Sequence, residues 1–471
     1  MKNIFLNSQE LDKSAINAGL AELVLQENAA RAVADEIKKR LKFGSKIAFL
    51  CGSGNNAADA IASARMLSGD YECVIFLLFD KLNQNASTQL NIAKNYGVSV
   101  LEKANFNQNY KENFINFNCI VDGIFGSGFN RDLGEELCQI ISAVNEIDAF
   151  KIAVDIPSGL DMSANPSPLC FRADLCVSMG ALKLALYGDM AKDFVGEIVL
   201  ANLGLSEQNF IKTASQGDYL LEFADMCLPN RMQKNVNKGD FGHAFVVRGQ
   251  MSGACLLASL AALNMGAGKV SIYNFDATML ANCDAQIMQK SSFEGASAVA
   301  CGMGLGDVNF NFNEILSLPC VIDADMFGRA EILSFAKSQK CVLTPHLKEF
   351  VSLLKFTGFG QIDIKQAQKE KFALAREFSL KFASTLVLKG ANTIIAQNGR
   401  LYICALGTQK LAVGGSGDAL AGIILALLAQ NYTSLNAAIT GVLAHAKTAL
   451  NYDGNDFSFS PNDIIKGLKK L

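Results

Sequence analysis

Residues 414–429 read GGSGDALAGIILALLA: a glycine cluster, an aspartate, then an unbroken apolar stretch of helical length. Glycine lets the backbone come close to an anion. The amides of Gly414, Gly415, Ser416 and Gly417 at a helix N-terminus would face whatever negative charge arrives. Asp418 is placed to take a proton from a substrate hydroxyl as that hydroxyl attacks a phosphoryl group. The plainer reading is a tight turn before a core helix, with Asp418 as its cap. Recurrence upstream weighs against it. Apolar runs ending in glycine or a polar group appear at HAFVVRG (243–249), KVSIYN (269–274), SAVACGMGLG (297–306), CVIDAD (320–325), CVLTPH (341–346), STLVLKG (384–390) and NTIIAQ (392–397). Short apolar strands alternating with helical patterns mark an α/β fold.

The first part of the chain repeats the pattern. Residues 8–42 read as helix, with Ser8 and Asp12 as polar N-terminal positions. KIAFLC (46–51) runs into GSGNN, followed by a helix over 57–68, ECVIFLLF (72–79), a helical period over 81–96, GVSVL (97–101), FNCIVD (117–122) and FKIAVD (150–155). Strand, helix, strand at this spacing predicts a parallel sheet, in which ligands bind beyond the carboxyl ends of the strands. GSGNN, Asp122 and Asp155 all fall there. So do the loop GSGFNRDL (126–133), Ser158 and Asp161, and oxygens of Asn, Asp and Ser gathered there suit a hard cation. Residues 205–238 are polar and break the alternation, which puts a domain boundary there and two α/β domains in tandem, over 1–210 and 225–471.

Bulk composition excludes other classes. Half of the 471 residues are apolar, 18% are charged and the net charge is −3, with no basic stripe for nucleic acid. The longest apolar stretch, Ala419 to Ala429, is too short to span a bilayer, and the N-terminus lacks a signal-peptide core. Thirteen cysteines without a Cys-x-x-Cys pair sit mostly in apolar runs, as buried thiols in a reducing cytoplasm would. Three histidines are too few for a histidine-rich metal site.

The second half, through KGDFGHAFVV, the Gly253-Ala254 helix entry, MGLG, VIDAD, TPHLKEF, VLKGANT, GGSGDALAGI and GVLAH, resembles the ADP/ATP-dependent NAD(P)H-hydrate dehydratases of the ribokinase-like superfamily. The first, through SQELDKSAINAGL, GSGNNAADA, VDGIFGSGF, VDIPSGLD and GALKLALYGDMAKDFVGEI, resembles the NAD(P)H-hydrate epimerases. The resemblance implies a Rossmann-like three-layer αβα domain followed by a ribokinase-like αβα domain. On the dehydratase side it implies that Ala254, Gly304, His346 and Asp418 line the hydrated-nicotinamide site. Lys389, Gly390, Ala391, Asn392, Thr393, Gly415, Ser416 and Gly417 would hold ADP or ATP with magnesium, and Asp418 would be the base. On the epimerase side it implies substrate binding by Asn55, Asn56, Asp59, Gly126, Ser127 and Gly128, with the 126–132 loop as phosphate cradle. Asn56, Asp122 and Ser158 would be potassium ligands and Asp155 the acid/base. The implied partners are NADHX, NADPHX and an adenine nucleotide, with neither nucleic acid nor membrane, and an assembly of several copies.

The chain departs from the family patterns in three places. Met303 stands where GPGLG has proline. Gln409 and Lys410 stand where a Pro-Gly pair precedes the GGSGD loop. NNAADA replaces Asn-Asn-Gly-Gly-Asp-Gly, so that Ala57, Ala58 and Ala60 occupy glycine positions. Alanine disfavours positive φ but favours a helix start. Two other readings therefore stand beside repair: a vitamin-precursor kinase of the same superfamily, and an N-terminal domain that only binds or assembles.

Overall fold

Strands that must be buried on both faces need unbroken apolar runs, and the runs named above become the centre of two sheets. The computed structural model describes the chain apart from Asn7, Asn130, Arg131, Ser167, residues 213–216 and Asn282. It divides into two compact units, Asn3–Gly217 and Asp218–Leu471, the latter with Met1–Lys2.

In the first unit Lys46–Cys51 (β1), Glu72–Leu77 (β2), Ser99–Glu102 (β3), Cys119–Gly123 (β4), Phe150–Val154 (β5), Leu175–Met179 (β6) and Glu197–Ala201 (β7) form one sheet. Its order is β3-β2-β1-β4-β5-β6-β7, with every pair parallel. Ile47 to Cys51 are wholly buried, as central strands require. The longer helices are Gln9–Asn17 (α1), Glu22–Arg40 (α2), Asn55–Leu67 (α3), Gln84–Asn95 (α4) and Glu135–Asn145 (α5). The single helix expected over 8–42 is two. Gly19, at φ +101°, turns the chain after α1, a left-handed step that ends a helix. Ile4 and Phe5 pair in parallel with Leu182 and Lys183. That pairing, β6 and β7 were not read from the sequence.

The second unit begins with Asp218–Leu220 (β8), followed by His243–Val247 (β9), Lys269–Tyr273 (β10), Met288–Lys290 (β11), Ala298–Cys301 (β12), Cys320–Ile322 (β13), Cys341–Leu343 (β14), Thr385–Leu388 (β15), Thr393–Gln397 (β16) and Arg400–Cys404 (β17). Their order is β11-β10-β9-β12-β13-β14-β15-β16-β17-β8. Pairing is parallel up to β15; β16 then runs antiparallel to both β15 and β17. Asp218 fixes the start of this unit: its carboxylate takes the Arg376 guanidinium at 2.6 Å and the Leu401 amide at 2.9 Å.

Ser252–Asn264 (α6), Leu347–Phe356 (α7), Lys371–Lys381 (α8), Ser416–Ala429 (α9) and Ser434–Leu450 (α10) are the longer helices. From Ala419 to Ala429 every residue of α9 is buried, so its apolar character all round marks a central helix. None of the described helices is long and apolar enough to cross a membrane. The cysteines are free thiols, all buried except Cys138, Cys227 and Cys283.

Helices α6 and α9 touch backbone to backbone: a Cβ on Gly422 would lie 2.1 Å from the Ala258 carbonyl oxygen. Gly422→Ala should therefore destabilise the second unit by about 1–3 kcal/mol in denaturant unfolding, because overpacking outweighs the roughly 1 kcal/mol of helix propensity gained. A stabilised variant would show that the helices part freely.

Candidate functional site

In the first unit the loops after β1 and β4 press together. A Cβ on Gly52 would sit 2.0 Å from the Ile124 carbonyl oxygen. The second loop is held from below. The Asp122 carboxylate, fully buried at the end of β4, accepts from the Ser158 amide and hydroxyl, each at 2.7 Å, and from the Ile124 amide at 3.1 Å. Burial pushes its pKa up to about 6 against those donors. Ser158 Oγ accepts from the Phe125 amide at 2.9 Å, and Asn56 Nδ2 donates to the Phe125 carbonyl at 2.9 Å. Asn56 and Ser158 thus meet at Phe125, with Asp122 behind Ser158.

Asp155 follows β5 with φ +72°, a left-handed conformation uncommon outside glycine. Three donors hold it there: the Ser127 amide at 3.0 Å, the Met179 amide at 3.2 Å and Lys183 Nζ at 2.5 Å. Lys183 has no exposure and also donates to the carbonyls of Met179 and Ala181. A Cβ on Gly126 would lie 3.1 Å from Asn56 Oδ1 and 3.2 Å from Asp155 Oδ2, so a side chain there would press on both.

Above these groups lies a cavity of about 580 Å³. Asn55, Asn56, Asp59, Gly126, Ser127, Gly128 and Asp155, all singled out from the sequence, line it together. Asp122 and Ser158 support the loop from beneath. Asn130 and Arg131, within the expected cradle, lie outside the described residues. Burial, with Asp155, Asp12 and Glu22 nearby, pushes Asp59 far above the usual carboxyl range. The alanines of NNAADA lie away from the cavity: Ala57, Ala58 and Ala60 are buried within α3, none has a positive φ and none lines the cavity. Ala60 instead fills the space beside Gly123.

In the second unit Gly415 caps α9 at φ +87°, and a side chain there would strike Leu257 and Pro461 at 2.8 Å. Ser416 and Asp418 lie in the first turn. His445 Nε2 is 3.0 Å from Ser416 Oγ and 3.1 Å from its carbonyl. A carbonyl only accepts, so this nitrogen carries the proton. Burial lowers His445 to about 4. Lys389, after β15, donates to Asp323 Oδ1 at 2.7 Å and lies 3.8 Å from Glu349. A Cβ on Gly417 would be 3.3 Å from Lys389 Nζ and 3.9 Å from Asp323. Asp323, Glu349 and Lys389 therefore gather at the start of α9. Burial and the charges of Asp323 and Glu349 raise the Asp418 pKa, with Lys389 opposing. Burial works against the Lys389 ammonium, but Asp323 and Glu349 outweigh it and raise its pKa.

His346 caps α7 through Nδ1, which accepts from the Glu349 amide at 3.2 Å, while Glu349 accepts from the His346 amide at 2.7 Å. Gly304, at φ +56°, leaves no room for a side chain beside Met251 and Ala254. Gly390, Ala391 and Asn392 form the turn between β15 and β16, and Thr393 opens β16. Met303 is wholly buried in the core. The Gln409–Lys410 stretch is tethered: Gln409 donates to Asp456 at 2.7 Å, and Lys410 to the Tyr452 carbonyl at 3.1 Å.

Sequence reasoning passed over Asp12, Lys183 and Asp323 as site residues, and reached Glu349 only as a polar group after a strand end in TPHLKEF. Asp323 carried a usable signal, an aspartate ending an apolar strand, as Asp122 and Asp155 do.

The NAD(P)H-hydrate dehydratase family matches residues 244–470, and the family described as YjeF-related protein N-terminus matches residues 22–185. A bifunctional NAD(P)H-hydrate repair enzyme of Helicobacter pylori is 40% identical over 100% of both chains. One from Coxiella burnetii is 30% identical over 100% of this chain and 99% of its own. Among solved structures, an ADP/ATP-dependent NAD(P)H-hydrate dehydratase from Bacillus subtilis, co-crystallised with ATP and Mg2+, is 23% identical with a TM-score of 0.44, covering 54% of this chain and 98% of its own.

A Cβ on Gly123 would come within 2.4 Å of the Ala60 methyl. Gly123→Ala should cost about 1–3 kcal/mol by overpacking, and Ala60→Gly should recover part of that loss. A double-mutant cycle read by denaturant unfolding measures the coupling; strict additivity would show that the two positions do not touch.

Proposed function

The chain belongs to the family of bifunctional NAD(P)H-hydrate repair enzymes, and on that premise we propose how its two units divide the work. The first interconverts the epimers of hydrated NADH and NADPH. The second dehydrates one of them back to NAD(P)H at the expense of ADP or ATP. The observation that carries the reading is that each unit sets an aspartate among charged partners at strand ends: Asp155 with Lys183 over the cavity, and Asp418 with Lys389, Asp323 and Glu349 at the head of α9. The relatives that match the whole chain are named for repair rather than for a vitamin-precursor kinase.

In the dehydratase, Asp418 takes the proton of the ring hydroxyl as it attacks the terminal phosphoryl group of the nucleotide; the phosphate ester then eliminates and the dihydronicotinamide is restored. The glycine turn aims its amides at the transferring group, where preorganised donors act most strongly. Gly304 and Ala254 give the ring a flat, close-fitting wall, and the 389–393 turn holds the nucleotide. Three carboxylates, Asp323, Glu349 and Asp418, face one ammonium, a surplus of negative charge that suits magnesium accompanying the phosphates. Magnesium held there by these carboxylates and the nucleotide would offset phosphate charge.

In the epimerase, the 126–132 loop cradles the substrate phosphate, Asn55, Asn56 and Asp59 hold the nicotinamide end, and Asp155 exchanges the proton. Asn56, Asp122 and Ser158 would hold potassium, which steadies the loop electrostatically. We place the activity in the cytoplasm, whose reducing conditions suit the chain's free thiols.

Purified protein given mixed epimers of hydrated NADH with potassium, magnesium and either ADP or ATP should restore NADH completely, followed by absorbance. Asp418→Asn should slow nucleotide-dependent restoration by about 10²–10⁴-fold. No restoration with either nucleotide would sink the repair reading. Asp155→Asn should leave restoration stalled near one epimer's share.

A further inference from the structure

The cavity of the first unit holds a second carboxyl group to which no role has been given. Asp12 projects from α1 into the same cavity as Asp155. Helix α1 sits across from the glycine loop, with Gln9 within 3.8 Å of where a Gly128 side chain would begin. The two carboxyls are equipped differently. Asp155 takes three donors, one of them the Lys183 ammonium. Among the described residues, no hydrogen bond or ion pair reaches the Asp12 carboxyl. Burial pushes Asp12 up to about 6, with Lys183 lowering it and Asp155 and Glu22 raising it. Asp59, also facing it, is shifted upward too, but its Oδ1 is sealed from solvent and from any partner.

An unpaired, half-buried carboxyl beside an ion-paired one divides acid from base work. Resting on the epimerase reading above, we infer that Asp12 is the catalytic acid of the epimerisation, acting across the substrate ring from Asp155. Protonated Asp12 gives its proton to the hydroxyl of the hydrated carbon. The carbon–oxygen bond breaks as the ring-nitrogen lone pair forms a carbon–nitrogen double bond, and water leaves. A water on the other face adds to that carbon and loses its proton to Asp155. Solvent in the open cavity returns the proton from Asp155 to Asp12, so no atom or electron is gained or lost overall. Epimerisation by this route exchanges the substrate's hydroxyl oxygen with solvent.

The test uses the full-length protein and one purified epimer of hydrated NADH, with interconversion followed by chromatography in ordinary and 18O-labelled water, corrected for the spontaneous rate. The wild type should speed interconversion and take up label at the hydrated carbon. Its rate should fall as pH rises through about 6, because the acid form is the active one. Asp12→Asn should slow interconversion by about 10²–10⁴-fold and lose that pH dependence. Its nucleotide-driven dehydration of the other epimer should persist, showing the second unit intact, its circular dichroism and unfolding midpoint should match the wild type, showing the first unit folded, and Asp12→Glu should restore part of the rate. Wild-type rates in Asp12→Asn, or interconversion without label, would overturn the assignment while leaving the epimerase reading intact. A wild type that fails to speed interconversion at all would remove that reading and the assignment with it.

Discussion

Every strand of the first unit's sheet runs the same way, so every segment leaving a carboxyl end leaves at one edge. That constraint gathers Asn55, Asn56, the 124–129 loop, Asp155 and Met179 around one cavity although more than a hundred residues separate them in sequence. It also crowds backbone against backbone, which is why glycine stands at position 52. In the second unit the ends of β13 and β15 and the head of α9 bring Asp323, Lys389 and Asp418 together in the same manner.

Charge is then arranged by burial. Removing one partner of a buried pair leaves an uncompensated charge, a larger loss than the pair itself is worth. Lys183, with no exposure, is ion-paired to Asp155 and also donates to the Ser178 hydroxyl and the carbonyls of Met179 and Ala181, holding at the cavity an aspartate whose backbone is left-handed. Lys389 plays the corresponding part among Asp323, Glu349 and Asp418. These ammonium groups orient carboxylates while the glycine loops leave space for substrate.

Much of this was legible in the chain. Runs such as KIAFLC and HAFVVRG mark strands because they are apolar without a break, as doubly buried strands are, yet too short for a buried helix such as α9. The aspartates closing FNCIVD and FKIAVD pointed to the ligand edge. What stayed hidden depends on partners distant in sequence. LCVSM at 175–179 is an ordinary short segment until β5 and β7 pair with it. The reversal of β16 follows from a tight turn at 390–392 and not from its own composition. Lys183 reads as a surface lysine in GALKLAL, and only its pairing with Asp155 shows why it is buried. Asp12 reads as a helix-start residue, and only the cavity gives it another use. The placement of the NNAADA alanines, facing the packed core rather than the cavity, cannot be read from spacing alone.

Helix α9 is both the apolar centre of the second unit and the element that presents Asp418 and the glycine turn. Hydrophobic burial and the reactive geometry therefore share one cooperative element. A partly unfolded form that had lost α9 could retain much of its sheet but no reactive centre, so in the second unit loss of activity on heating should report the disordering of this helix rather than of the molecule's periphery.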